Sequence, residues 1–138
     1  MANPILGTGL SAVPVTALYG GLNALLAVGL AVNVSRVRGK YNVFRGDGGH
    51  AELQGAIRAH GNNSEHVPLG MMLLLIAELC GGSSTTLHVF GGAFLVARIL
   101  HPVGLMKNIA PAQIAGALGS YLLQAALAVY VLWLRPWG

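Results

Sequence analysis

Three polar residues are spaced along the sequence so that they would share one face of a helix. Arg58, Asn62 and Glu65 follow one another at helical intervals, which places them within an arc of about 60° on a helix with 3.6 residues per turn. We call these three residues the polar stripe, and Gln54 extends it by one turn. A guanidinium, an amide and a carboxylate on one face predict binding of a ligand that carries both an ammonium group and carboxylates.

The residues around the polar stripe are far more apolar than those of a soluble protein. Hydrophobic residues make up 54% of the 138-residue chain and charged residues 9%, with a mean hydropathy of +0.65. A soluble globular domain carries about 25% charged residues. The composition therefore excludes an ordinary soluble enzyme, a disordered chain and a solenoid, and it predicts an integral membrane protein in contact with the lipid bilayer.

The hydropathy pattern predicts one all-α domain over residues 1–138, a four-transmembrane-helix up-down bundle. We expect its helices at about residues 10–35, 51–80, 86–106 and 112–134, the second being long enough only if its polar first half is included. Basic residues gather in the segments after the first and third helices, namely Arg36, Arg38, Lys40, Arg45 and Lys107. By the positive-inside rule this end faces the cytoplasm and both termini lie on the other side.

Charged side chains on a membrane helix need partners, because their transfer out of water is costly. Arg58 and Glu65 are about 10 Å apart along the axis, so each needs a further partner. On the third helix, Arg98 is the expected structural partner of Glu65, with His101 one turn beyond it on the same face. The alternative is that the stripe forms an interhelical salt-bridge network that only holds the bundle together. We interpret Glu78, near the outer end of the second helix, as an interfacial or helix-packing acid.

Metal and nucleic-acid binding are not expected. The histidines have no convergent spacing, and the single Cys80 cannot build a zinc site. The net charge of +4 is interpreted as an orientation signal in so apolar a chain, not as affinity for nucleic acid.

The segments Gly46–Gly49 and Ala56–Asn62, followed by Glu65 and Pro68, resemble the MAPEG family, the membrane-associated proteins in eicosanoid and glutathione metabolism. That family includes microsomal glutathione transferases, leukotriene C4 synthase and prostaglandin E synthase, and the resemblance is to its bacterial inner-membrane branch. It implies a homotrimer that binds glutathione as a co-substrate on the cytoplasmic side, between neighbouring subunits. The expected activity is that of a glutathione S-transferase or peroxidase acting on lipophilic small molecules.

The resemblance also implies roles for individual residues. The three residues of the polar stripe would contact the tripeptide, Arg36 would reach it from the adjacent subunit, and His101 would lie at the pocket edge. The candidates for activating the thiol are Arg36, Arg38, Gln113 and Tyr121.

Three departures from the family pattern bear on catalysis. Gly61 replaces a basic residue found before the asparagine in several members, and Leu105 replaces a tyrosine of the eicosanoid-synthesising members. Gln113 stands where an arginine that stabilises the thiolate is usual, and it carries no charge. One alternative is therefore a non-catalytic membrane protein with the family fold. Another is a small four-helix exporter, although such exporters place a carboxylate in the first helix and residues 10–35 contain none.

Overall fold

The computed structural model of the chain describes residues 13–135, which form four α-helices. They are α1 (Pro14–Tyr41), α2 (Ala51–Leu79), α3 (Ser84–Lys107) and α4 (Ala110–Leu134). The predicted start of the first helix near residue 10 lies outside the described residues. At its other end α1 runs past the predicted limit near residue 35, because Pro14 is its only proline and Asn42 provides a left-handed C-cap.

Three of the helices, α1, α3 and α4, are each long and apolar enough to cross a membrane. Helix α2 has 29 residues, about 44 Å at 1.5 Å per residue. Its length therefore suffices for a membrane span, but the polar stripe and the adjacent His66 lower its hydropathy. At membrane depth, the charges of the polar stripe would need protein or water around them, because ionised groups are unfavourable in lipid.

Helices α2 and α3 form the centre of the bundle. Each contacts the other and both outer helices, whereas α1 and α4 do not touch within the described part of the chain. Glycines bring the backbones of α3 and α4 together: a Cβ atom at Gly104 would lie 2.2 Å from the amide nitrogen of Gln113, and one at Gly116 would lie 2.4 Å from that of His101. Such close approach is typical of membrane helix pairs with small residues at the contact.

Two apolar clusters close the two ends of the bundle. One contains Val15, Leu74, Ala77, Leu87 and Leu127; the other contains Val37, Leu53 and Ala56. Along α2, the buried residues between the clusters are Ala59, Asn63 and Gly70, of which Asn63 is polar. On α3 the fully buried Arg98 lies at the level of Asn62, to which it is hydrogen-bonded. The interior is therefore polar at the depth of the stripe, and this polar section positions the site.

Glu78 ties the end of α2 to the start of α1. Its Oε1 accepts a hydrogen bond from the Val15 amide at 2.9 Å, and its Oε2 accepts one from the Thr16 amide at 2.7 Å. No side chain at the N-cap position of α1 supplies these bonds. Glu78 thus caps α1 from another helix and places negative charge at the positive end of the helix dipole. Of the two roles considered for Glu78 from the sequence, this is the helix-packing one.

The Glu78→Gln variant is expected to lose about 1.5–3 kcal/mol of stability, the usual contribution of hydrogen bonds to a charged group. Thermal unfolding in detergent, followed by circular dichroism, measures the loss. Glu52→Gln is the matched control, since Glu52 is an exposed carboxylate that pairs with Lys40 at the other end of the bundle and should matter less. Equal melting temperatures for the two variants would contradict the capping role.

Candidate ligand-binding site

Two of the three stripe residues stand open on the surface of the chain. Arg58 and Glu65 are exposed and Asn62 is half-buried. No hydrogen bond or ion pair joins Arg58 or Glu65 to another described residue. Their charges are therefore available to a ligand or to a second protein chain.

The face of α2 that carries the stripe changes character along the helix. Toward the end of α2 the exposed residues are apolar, namely Leu69, Met72, Ile76 and Leu79. Toward its start the exposed residues include Gln54, Arg58 and Glu65. Apolar side chains can face lipid, but ionised groups at membrane depth are stable only against protein, ligand or water.

Arg98 contacts the stripe through Asn62. Its side chain is fully buried, and Nη2 donates a hydrogen bond to Asn62 Oδ1 at 3.0 Å. The expected pairing of Arg98 with Glu65 is wrong. Glu65 lies on the exposed side of α2, and it is Asn62 that contacts Arg98 on α3. Nε and Nη1 of Arg98 have no hydrogen-bond partner among residues 13–135, so within that part of the chain a buried cation is left without an acid.

His66 and two residues of α4 continue the polar wall of the site. Gln124 Nε2 donates to the His66 carbonyl oxygen at 2.7 Å, and His66 Nδ1 lies 3.2 Å from Gln124 Oε1. Because an amide oxygen only accepts, that ring nitrogen carries the proton. The Tyr121 ring is centred 5.2 Å from the His66 ring, and its side chain is half exposed. His66 was not predicted from the sequence as a site residue, although it follows Asn62 by one helical turn.

His101 and Gln113 meet through the backbone. His101 is 6% exposed, and its Nδ1 donates to the Gln113 carbonyl oxygen at 3.0 Å. This bond fixes the first turn of α4 against α3. A ligand contact for His101 stays a prediction. Gln113 is half-buried and lies in the first turn of α4, the helix that carries Tyr121.

The arginines at the end of α1 have different surroundings. Arg36 is exposed, donates to Asn33 Oδ1 at 3.1 Å and lines a groove of about 150 Å³ shared with Glu52 and Met106. Arg38 donates to the carbonyl oxygens of Val43 and Gly46, at 3.3 and 3.0 Å. Arg38 thus organises the loop between α1 and α2, whereas Arg36 has nitrogen atoms to spare for a ligand.

A second groove joins that loop to the stripe. It has a volume of about 230 Å³ and is lined by Gly46, Asp47, Gln54, Ile57 and Arg58. The loop keeps its shape through glycines with positive φ at positions 46, 48 and 49, a backbone conformation that favours glycine. The glycine-rich run of the sequence therefore forms one wall beside Arg58.

These features define a helical membrane protein that exposes a pair of opposite charges, Arg58 and Glu65, on its second helix. Residues 16–133 match the sequence model of the MAPEG family, and the chain belongs to that family. The inner membrane protein YecN of Escherichia coli strain K12 is 35% identical over 123 residues, which cover 89% of this chain and 94% of YecN. YecN of Escherichia coli O6:H1 gives the same values. The resemblance found in the sequence is confirmed.

Proposed function

We propose that this protein binds glutathione at the polar stripe and, at the membrane, joins it through its sulfur to lipophilic electrophiles, or reduces them with two glutathione molecules that leave as the disulfide. The observation that carries this proposal is the open pair of opposite charges on α2, Arg58 and Glu65, with Asn62 between them. Glutathione carries one ammonium and two carboxylates. Glu65 accepts hydrogen bonds from the ammonium, and Arg58 donates to a carboxylate, both charge-assisted.

The bundle spans the bacterial inner membrane four times, up and down, and assembles as a homotrimer. The relative's name, an inner membrane protein, supports the location. The exposed face of α2 supports the assembly, because a neighbouring subunit would keep Arg58 and Glu65 away from lipid. Arg36 of the neighbour then approaches the ligand, on the cytoplasmic side where the basic loops gather.

The chemistry needs the thiolate form of glutathione, since a thiol with a pKa near 8.5 is mostly protonated at neutral pH. In the conjugation step the thiolate sulfur bonds to an electrophilic carbon and a leaving group departs with its electron pair. Tyr121, half exposed beside His66, donates a hydrogen bond to the sulfur. Arg36 supplies positive charge, while Arg38 is engaged with the loop and Gln113 supplies none.

Calorimetry on detergent-solubilised protein tests the binding step. We expect saturable heat with glutathione at up to millimolar concentration. The absence of heat over that range would remove the proposal.

A second candidate is a glutathione-binding protein without catalysis. It is favoured by one observation, the uncharged Gln113 where the family has an arginine. A chloronitrobenzene electrophile with glutathione separates the two: turnover above the uncatalysed rate, or thiolate absorbance on adding glutathione, supports the enzyme. Binding without either supports the second candidate.

Thiol labelling tests the orientation. Cys80, the one cysteine of the chain, is free and half-buried at the end of α2, on the side proposed to face away from the cytoplasm. A membrane-impermeant maleimide should label it in intact spheroplasts. In the matched variant Cys80→Ser with Phe44→Cys, where Phe44 is 93% exposed in the α1–α2 loop, labelling should require permeabilisation. The reverse pattern would overturn the orientation.

A further inference from the structure

The contact between Arg98 and Asn62 determines which way the Asn62 amide points. A guanidinium has only donors, so the amide atom that faces Arg98 must be the acceptor Oδ1. The 3.0 Å bond from Nη2 shows this arrangement. The Asn62 NH2 group is therefore turned away from Arg98.

An asparagine at this position is a poor choice for stability alone. Arg98 is fully buried, and no described residue forms a hydrogen bond with its Nε or Nη1. An aspartate at position 62 would supply the missing negative charge, whereas a buried cation without an acid is strongly unfavourable. If the only role of residue 62 were to join α2 to α3, aspartate would stabilise the protein more than asparagine does.

We propose that Arg98 is a positioning residue, which holds the Asn62 amide so that its NH2 donates a hydrogen bond to a carboxylate of the bound ligand. The ligand then meets donors at Arg58 and Asn62 and an acceptor at Glu65. Without Arg98, the amide would be free to rotate and present its oxygen, which repels a carboxylate. This inference rests on the proposed function, because it assigns Asn62 its part in glutathione binding.

Two variants at position 62 test the proposal, with glutathione as the probe in calorimetry and thermal unfolding as the second measurement. Asn62→Asp should melt at a higher temperature than the unmodified protein, because it gives Arg98 an acid. It should bind glutathione at least about tenfold more weakly, since like charges would then face each other. Asn62→Ala should melt at a lower temperature and lose less affinity than Asn62→Asp. If the unmodified protein binds glutathione and Asn62→Asp binds it equally well, the role of Arg98 is overturned and the proposed function stands. If the unmodified protein does not bind glutathione, both are overturned.

A double-mutant cycle tests whether Arg98 acts through Asn62. Arg98→Gln should weaken glutathione binding when Asn62 is present and have no further effect in the Asn62→Ala background. A merely structural Arg98 would weaken both backgrounds equally, which would overturn the proposal. If Arg98→Gln does not fold, the comparison of the two position-62 variants still decides, because both keep Arg98.

Discussion

Glu65→Gln is expected to weaken glutathione binding by about 100-fold or more, the effect of removing one partner of a desolvated charge pair. Glu65 is the one stripe residue that carries negative charge, and it forms no ion pair or hydrogen bond with another described residue. Its carboxylate is thus not neutralised by the part of the chain that the structure describes, and it is available to an ammonium group. Since no internal contact is lost, the melting temperature without ligand should stay within about a degree or two, as for other surface substitutions.

Calorimetry on the variant measures this effect, and Glu52→Gln is the control. Glu52 is also exposed and lies on the same helix, but Lys40 and Tyr41 bind its carboxylate, so its loss should leave glutathione affinity nearly unchanged. If Glu65→Gln binds glutathione as tightly as the unmodified protein, the stripe does not bind the ammonium group and the site assignment is wrong.

Gln113→Arg is expected to raise the thiolate fraction of bound glutathione about tenfold or more at neutral pH. A cation within about 4–6 Å lowers the pKa of an acid by roughly 1–3 units, and each unit is a tenfold change in the ratio of ionised to protonated thiol. Gln113 is half-buried in the first turn of α4, on the helix that carries Tyr121. The reaction rate with a chloronitrobenzene electrophile should rise in step with the thiolate fraction.

The ultraviolet absorbance of the thiolate, followed as pH is raised, measures the pKa of the bound thiol. Gln113→Met is the matched control, because it keeps the length of the side chain and adds no charge. The expected order is a lower thiol pKa in Gln113→Arg than in the unmodified protein, with Gln113→Met close to the latter. If all three show one pKa, position 113 does not face the sulfur.

The helices and the stripe could be predicted because they depend on local spacing. Apolar periodicity gave the four elements, and the intervals between Arg58, Asn62 and Glu65 placed them on one side of α2. The family resemblance rested on the same segment, and the match over residues 16–133 confirms it.

The contacts between helices could not be predicted, because they depend on how each helix is rotated about its own axis. A rotation of about 100°, one residue position, brings a different side chain to the neighbouring helix. Such a rotation decides that Asn62, and not Glu65, meets Arg98. The pairs Glu78 with the start of α1 and His66 with Gln124 join residues about 60 positions apart. No local pattern marks those partners.

In the proposed function, the polar stripe holds glutathione between copies of this chain. Native mass spectrometry of the protein released from detergent, titrated with glutathione, tests it most directly. We expect a trimer that gains up to one glutathione per subunit, and the same trimer without the added mass for Glu65→Gln. A monomer, or an assembly whose mass does not change with glutathione, would contradict the claim.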